Sequence, residues 1–151
     1  MINFPTIEQF KYLLINNMYS HQTHIRVRYG ETDRMGYVYY GNYPLYYETA
    51  RVESLRSLDI SYKNMEDNGV QMPVLSLQIK YIRPAFYDDL LTIKTEIRNM
   101  PASRIEFYHE IFNEQGMLIN VGSVELVFVS VETGKPCRCP DYIRKKLQKY
   151  F

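Results

Sequence analysis

This chain has no tryptophan, only two cysteines and three histidines among its 151 residues, and a formal net charge of only +1. A balance so close to neutral gives no field that would attract nucleic acid or a strongly acidic partner. No apolar run reaches the length of a membrane span, and Glu8 and Lys11 interrupt the apolar pattern of residues 1–18, so we expect neither a span nor a secretory signal. These absences favour a cytoplasmic protein.

The cysteines argue against a disulfide and against a metal centre. Cys137 and Cys139 are separated by one residue, and a bridge between positions so close in the chain would be strained. Two reduced thiols are therefore the expectation. His21, His24 and His109 lie far from both thiols in sequence, so we predict no bound metal.

The patterns that are present predict one α+β domain over residues 1–151, because this length is ordinary for a single domain. Helical spacing marks residues 5–17, within an N-terminal extension over 1–20, and residues 43–58, where Asn42 is the predicted N-cap. Alternating patterns predict strands over about 22–29, 72–83, 90–98, 104–113 and 117–131, joined by a polar connector over 59–69 and followed by a helix within 140–151. A sheet curled around the central helix would leave its other face open unless the terminal helices or a second subunit cover it, so we expect an oligomer.

The most informative stretch is residues 29–43, which read Tyr29-Gly-Glu-Thr-Asp33-Arg-Met-Gly36-Tyr-Val-Tyr-Tyr40-Gly41-Asn42-Tyr43. A lone carboxylate, Asp33, precedes a glycine-punctuated, tyrosine-rich loop that runs into a helix. A helix start offers backbone N–H groups without intrahelical acceptors and a partial positive charge. A carboxylate near such donors could attack a carbonyl and hold the oxyanion that forms. The alternative is that Asp33 only shapes a turn.

Residues of this stretch and of two later segments resemble the signature of a known protein family. Residues 28–43, with Glu48-Thr-Ala50-Arg51 after them, resemble the signature of the hot dog-fold acyl-CoA thioesterases, and most closely the 4-hydroxybenzoyl-CoA thioesterase and YbgC-type group. The segment 83–93, which begins Arg83-Pro84-Ala85, resembles that family's turn and third strand, and the likeness extends over about 25–131. It implies a five-stranded antiparallel sheet wrapped around a central helix. It also implies protomers paired edge to edge as dimers, often assembled further into tetramers, with the active site at the dimer interface.

The resemblance implies roles for particular residues. Asp33 would be the catalytic carboxylate, either as nucleophile or as general base, and Tyr40 would polarise the carbonyl through its backbone N–H. Many YbgC-type members have histidine at the position of Tyr40. The implied substrate contacts are Gly36, Val38, Gly41, Asn42, Tyr43, Gln71, Met72 and Arg83, with Gln71 and Met72 on the partner side of the acyl pocket and Arg83 a candidate for the coenzyme A phosphates. Glu48 and Arg51 are expected to be an ordinary surface pair.

The predicted activity is hydrolysis of an acyl-CoA thioester to a free carboxylic acid and coenzyme A, with no metal and no cofactor. A thioester is already activated, so a placed carboxylate, a water and N–H donors suffice. Two alternatives remain: a thioesterase acting on acyl-acyl carrier protein, and a non-catalytic acyl-CoA-binding protein. Hot dog dehydratases resemble one another around a loop that contains histidine, and this chain has none near its glycine loop, which argues against dehydration.

Overall fold

The computed structural model describes residues 17–151. In chain order its elements are β1 (Tyr19–Arg26), α1 (Tyr43–Arg56), α2 (Tyr62–Asp67), β2 (Val70–Gln71), β3 (Val74–Tyr81), β4 (Leu90–Ile97), β5 (Arg104–Phe112), β6 (Leu118–Val127), β7 (Val129–Ser130) and α3 (Asp141–Leu147). Five strands form one antiparallel sheet in the order β1-β4-β5-β6-β3, and β2 pairs with β7. The prediction of a five-stranded antiparallel sheet around a central helix is confirmed.

The boundaries differ from the predicted ones where proline or a local cap intervenes. The strand predicted over 72–83 is β3, which begins only at Val74, because Pro73 has no N–H for the ladder. The separate strand β2 lies just before the predicted range. The predicted connector over 59–69 contains the short helix α2, whose N-cap Ser61 accepts a hydrogen bond from the N–H of Asn64 at 3.3 Å. The predicted N-terminal helix lies outside the described residues apart from Asn17, and β1 begins at Tyr19 rather than at residue 22.

The core lies between α1 and the inner face of the sheet. On β4 the side chains of Leu91, Ile93, Thr95 and Ile97 all point inward and are buried, as the two-residue period of a half-buried strand requires. Helix α1 buries the rings of Tyr43, Tyr46 and Tyr47 against them. Several of the fifteen tyrosines are therefore core residues.

A polar cluster lies inside this core. His109 of β5 stacks on the ring of Tyr47, with 4.4 Å between ring centroids, and its Nδ1 lies 3.1 Å from the Thr95 hydroxyl. The Tyr47 hydroxyl donates to the Asn120 side-chain oxygen. Gly122 makes room for this arrangement, because a Cβ there would lie 2.6 Å from the Tyr47 hydroxyl oxygen. The cluster fixes the second turn of α1 against the middle of the sheet.

The outer face of the sheet does not need the cover that the sequence analysis expected. It carries polar and charged side chains, among them Lys94, Glu96, Arg98, Glu110 and Glu125, several of them in ion pairs. These residues alternate with the buried ones on β4, β5 and β6, so the outer face tolerates water. The sequence analysis expected an oligomer because this face would be left open. That reason does not hold, because the face is polar.

The edge strand β3 carries apolar side chains that no other part of residues 17–151 covers. Leu77 pairs with Val124 and Tyr81 with Asn120, so both side chains lie on the helix-facing side of the sheet. Leu77 is nevertheless 42% exposed and Tyr81 47% exposed. The N–H and C=O groups along the outer edge of β3 are not paired with another strand among residues 17–151.

Helix α3 closes one end of the domain. Its Ile143 and Leu147 side chains are buried, and Arg144 Nη1 donates to the carbonyl of Pro101 at 2.6 Å. The predicted closing helix is confirmed, and its 3₁₀ extension Gln148–Tyr150 places Tyr150 edge-on against Tyr19. In residues 17–151, no helix combines the length and the apolar character needed to cross a bilayer.

Candidate active site

The Asp33 loop is a small hairpin between β1 and α1. Thr32 and Val38 form an isolated antiparallel bridge, the Asp33 N–H donates to the Tyr37 carbonyl at 3.0 Å, and the Gly36 N–H donates to the Asp33 carbonyl at 2.9 Å. Gly36 has φ of +85°, a conformation that glycine adopts without the cost other residues bear, and this explains the glycine in the motif.

The carboxylate of Asp33 both shapes this hairpin and faces the site. Its Oδ1 accepts the Met35 N–H at 2.8 Å, the local bond expected of an aspartate that forms a turn. Its Oδ2 has no hydrogen-bond partner within the part of the chain that the structure describes. The two readings of Asp33 from sequence are thus compatible, because one oxygen anchors the loop while the other is available to a substrate or a water.

The helical segment after the hairpin begins at Tyr40, one 3₁₀ turn before α1. A 3₁₀ turn, Tyr40–Asn42, runs directly into α1, and the extended residue before it is Tyr39. The N–H groups of Tyr40 and Gly41 have no acceptor among residues 17–151. They are the orphan donors of a helix start, where the dipole is positive.

Asn42 does not cap this helix as predicted. It is itself helical, with φ of −85° and ψ of −18°, and its side chain makes no capping bond. A residue already inside a helical turn cannot reach its own N2 and N3 amides. Its Nδ2 instead donates to the Glu31 carbonyl at 2.8 Å, which ties the helix start to the hairpin.

A cleft of about 380 Å³ lies between the hairpin, the helix start and the end of β3. Its walls are formed by Asp33, Met35, Tyr37, Val38, Tyr40, Tyr43, Tyr81, Ile82, Arg83 and Pro84. Of the predicted site residues, the structure brings Asp33, Val38, Tyr40, Tyr43 and Arg83 together here. Asp33 and Tyr40 both line this apolar cleft, and Gly41 follows Tyr40 in the adjoining turn. A carboxylate beside the N–H donors of a helix start can attack a carbonyl and stabilise the oxyanion.

The other predicted residues lie elsewhere. Gly36, Gly41 and Asn42 shape the adjoining turns without lining the cleft. A Cβ on Gly41 would lie 2.7 Å from the ring of the exposed Tyr39, so that ring would have to move to admit one. Met72 is 8% exposed and belongs to its own protomer's core, while Gln71 is exposed on β2. A contact of Gln71 or Met72 with a partner's cleft stays a prediction.

The sequence did not predict Tyr81, which the fold brings to the cleft from far along the chain. The Tyr81 hydroxyl donates to the Tyr40 carbonyl at 3.0 Å, and its ring packs edge-on against Tyr43 with 5.3 Å between centroids. Burial, with Tyr81 adding to it, raises the pKa of Tyr43 to about 12, so its phenol stays protonated at neutral pH. The Arg83 guanidinium lies at the cleft and donates to the Leu118 carbonyl at 3.1 Å.

Arg51 was expected to pair with Glu48 at the surface, and this is wrong. Arg51 is 7% exposed, and its Nε donates to the Tyr62 hydroxyl at 2.8 Å. Glu48 is exposed, and no ion pair joins the two side chains in the described region. Helix α1 places Arg51 on its buried side, next to Ala50, and α2 covers it with the ring of Tyr62.

Comparison with known proteins identifies the family. The family model of the thioesterase-like superfamily matches residues 27–147. This chain belongs to the thioesterase-like superfamily. It is 35% identical over 119 residues to the acyl-CoA thioester hydrolase YbgC of Escherichia coli, with 79% of this chain and 89% of that protein covered. It is 29% identical over 121 residues to the acyl-CoA thioesterase YbgC of Haemophilus influenzae, with 80% of this chain and 88% of that protein covered.

The solved structures agree with this thioesterase-like assignment. A DHNA-CoA thioesterase from Staphylococcus aureus superimposes with a TM-score of 0.80 at 37% identity, over 87% of this chain and 88% of that one. The resemblance drawn from residues 25–131, the hot dog fold and the assignment as a thioester hydrolase are all confirmed. The roles of individual residues stay predictions.

No metal site accompanies these features in the described region. Among residues 17–151, no three His, Cys, Asp or Glu side chains gather where they could hold one ion. Cys139 is buried, and burial raises the pKa of its thiol to about 12, which leaves it a poor metal ligand and a poor nucleophile.

Proposed function

We propose that this chain hydrolyses acyl-CoA thioesters, with the Asp33 carboxylate as the attacking or water-activating group and the Tyr40 and Gly41 N–H groups as oxyanion donors. The observation that carries the proposal is the cleft itself. Asp33 Oδ2 has no hydrogen-bond partner within residues 17–151, and the two N–H groups have no acceptor there. The acyl-CoA thioester hydrolase from Escherichia coli supports the choice of substrate.

Two routes fit this arrangement. As a general base, Asp33 takes a proton from water while the water oxygen bonds to the carbonyl carbon, and the carbon–sulfur bond then breaks to release the thiolate. As a nucleophile, the carboxylate oxygen itself bonds to the carbonyl carbon and expels the thiolate, and water hydrolyses the resulting anhydride. In both routes the carbonyl oxygen carries negative charge in the transition state, where N–H donors at a helix start stabilise it.

The walls of the cleft favour an acyl group with an aromatic ring. Tyr37, Tyr40, Tyr43 and Tyr81 all contribute to it, and aromatic rings prefer offset or edge-to-face contact with other rings. The substrate of the Staphylococcus aureus relative, DHNA-CoA, supports testing aromatic thioesters first. Arg83 at the same cleft could pair with a coenzyme A phosphate, since guanidinium groups bind phosphate through paired N–H donors.

The decisive experiment replaces one atom of the carboxylate. In Asp33→Asn the amide oxygen can still accept the Met35 N–H, so the hairpin and the melting temperature should be kept. We expect kcat to fall by about 10²- to 10⁴-fold, the usual contribution of a positioned base. Thiol release is measured across aliphatic, aromatic and hydroxylated acyl-CoAs and across acyl-acyl carrier protein.

The matched control is Asp67→Asn, which removes a carboxylate that is exposed on α2 and that pairs, within residues 17–151, only with Lys63. Near-native turnover by Asp33→Asn would remove Asp33 from the mechanism. Turnover of acyl-acyl carrier protein alone would move the proposal to the other thiol carrier. An absence of turnover with every thioester would favour a non-catalytic acyl-binding protein.

We further propose that the enzyme is a homodimer joined along β3. The exposed inner side chains Leu77 and Tyr81 and the free ladder edge of that strand support this, because an apolar edge strand is normally covered. Leu77→Lys should convert the protein to monomer and reduce turnover. Gln78→Lys, one residue along on the opposite face, should do neither. Light scattering at assay concentration checks both variants, and an active wild-type monomer would refute the dimer.

A cytoplasmic location completes the proposal. Cys137 and Cys139 are both free thiols, which suits a reducing compartment, and coenzyme A thioesters are intracellular substrates.

A further inference from the structure

The Glu31 carboxylate accepts hydrogen bonds from Arg28, in the loop after β1, and from Tyr46 of α1. Its Oε2 accepts the Arg28 backbone N–H at 2.8 Å and the Tyr46 hydroxyl at 2.7 Å. Its Oε1 accepts the Arg28 guanidinium, with Nε at 2.9 Å and Nη2 at 2.8 Å. The side chain is 12% exposed, so the carboxylate is largely withdrawn from water between the end of β1 and the second turn of α1.

The backbone of the same residue holds the start of the helix. The Glu31 carbonyl accepts the Tyr39 N–H at 2.9 Å and the Asn42 Nδ2 at 2.8 Å. Glu31 thus holds the Asp33 hairpin at one end, and through Tyr39 and Asn42 it holds the turn that carries the Tyr40 and Gly41 N–H groups. Glu31 does not line the cleft.

We propose that Glu31 is a positioning residue that fixes the Asp33 carboxylate relative to the N–H donors of the helix start. This inference rests on the proposed function, because it assigns Glu31 a part in the same reaction. The hairpin and helix α1 meet at this residue, and Tyr46 carries the link from the carboxylate into the helix. A displacement of about 1 Å between a reacting group and its donors is enough to cost roughly a hundredfold in rate.

The protonation states of Glu31 and Tyr46 are part of this arrangement. Burial tends to raise the pKa of Glu31, but the Arg28 N–H, the Tyr46 hydroxyl and the Arg28 guanidinium outweigh it and hold the pKa below the usual range. Glu31 is therefore ionised at neutral pH. Burial, together with the bond to Glu31, raises the pKa of the Tyr46 phenol, so the Tyr46 proton stays in that bond.

The test compares Glu31→Gln with Glu53→Gln. The Glu31 variant keeps the side-chain shape but loses the charge and one acceptor, whereas Glu53 sits on the exposed side of α1 in a single pair with Arg56. For Glu31→Gln we expect kcat to fall by at least about tenfold with KM changed by less than about threefold, because substrate contacts remain and only the reacting geometry loosens. The control variant should match the wild type in both parameters.

A second measurement does not depend on turnover. Hydrogen exchange at the Asp33 and Gly36 amides, which close the hairpin, should accelerate in Glu31→Gln and not in Glu53→Gln. Tyr46→Phe removes only the link to the helix and should reproduce part of both effects. The inference is overturned if exchange at these amides is unchanged, or if any loss of kcat only follows the fraction of unfolded protein. A wild type without thioesterase activity would instead reject the proposed function, and the exchange result would still decide the role of Glu31.

Discussion

Acidification should destabilise this protein through His109. The ring is 1% exposed, stacks on Tyr47, and has no hydrogen-bond partner for its Nε2 within residues 17–151. Burial is the main cause that lowers the pKa of His109 from its ordinary value of 6.5 to about 3, and the nearby positive charge of Arg51 adds to it. The folded protein therefore holds a neutral imidazole at every pH above about 3.

The magnitude follows from the difference between the folded and unfolded pKa values. Between pH 6.5 and pH 3 the unfolded chain binds a proton on this imidazole and the folded chain does not, so the free energy of unfolding decreases as the pH falls. The slope approaches about 1.4 kcal/mol per pH unit. At about two units below the ordinary pKa the loss amounts to about 2.7 kcal/mol, and above that pKa the group contributes no pH dependence.

Urea unfolding across this pH range measures the effect in the wild type and in His109→Gln. Carboxylates such as Glu31 and Glu96, whose pKa values are lowered in the folded state, also make acid destabilising, but they contribute to both proteins and cancel in the difference. The wild type should lose about 2.7 kcal/mol more than the variant over two pH units. Equal slopes, or an imidazole that titrates near 6.5 by NMR in the folded protein, would refute the reasoning.

Three further predictions concern the site. Tyr40→Phe keeps the backbone N–H and removes the hydroxyl, so kcat should fall by less than about tenfold, and a loss as large as that of Asp33→Asn would assign chemistry to the phenol. A strong chelator should leave thiol release unchanged, because the proposed chemistry uses a carboxylate and backbone donors; loss of activity restored by a metal would contradict this. Gly41→Ala should reduce kcat with little loss of fold, because its Cβ would lie 2.7 Å from the exposed Tyr39 ring and force that ring to move beside the donor turn. Gly30→Ala, whose Cβ would meet no atom within 4 Å, is the matched control for that assay.

The local parts of the site were predictable from sequence and the long-range parts were not. Asp33, Gly36 and Tyr40 lie within one short loop, where turn and helix-start chemistry acts over a few residues. Tyr81 reaches the cleft only because β3 is placed beside the helix start, and no short-range pattern carries that information. Asn42 was misassigned because it has the right residue type for a cap, whereas the 3₁₀ turn before it had already started the helix.

The fold was predictable to a similar degree. Alternation predicted the sheet strands, but β3 begins at Val74, after Pro73, rather than at residue 72. The polar outer face of the sheet was predictable from Lys94, Glu96 and Arg98, which occupy every second position at the end of the strand predicted over 90–98. The burial of Arg51 was not predictable from the sequence, because it depends on α2 folding back over the central helix.

The exposed apolar edge of β3 also bears on how this protein must be handled. A free strand edge with Leu77 and Tyr81 beside it offers a template for pairing with any extended chain, including partly folded copies. If the proposed dimer forms along β3, dilution that separates its protomers would expose this edge and promote precipitation as well as inactivation. Purification tags and fusion partners are best kept away from residues 74–81.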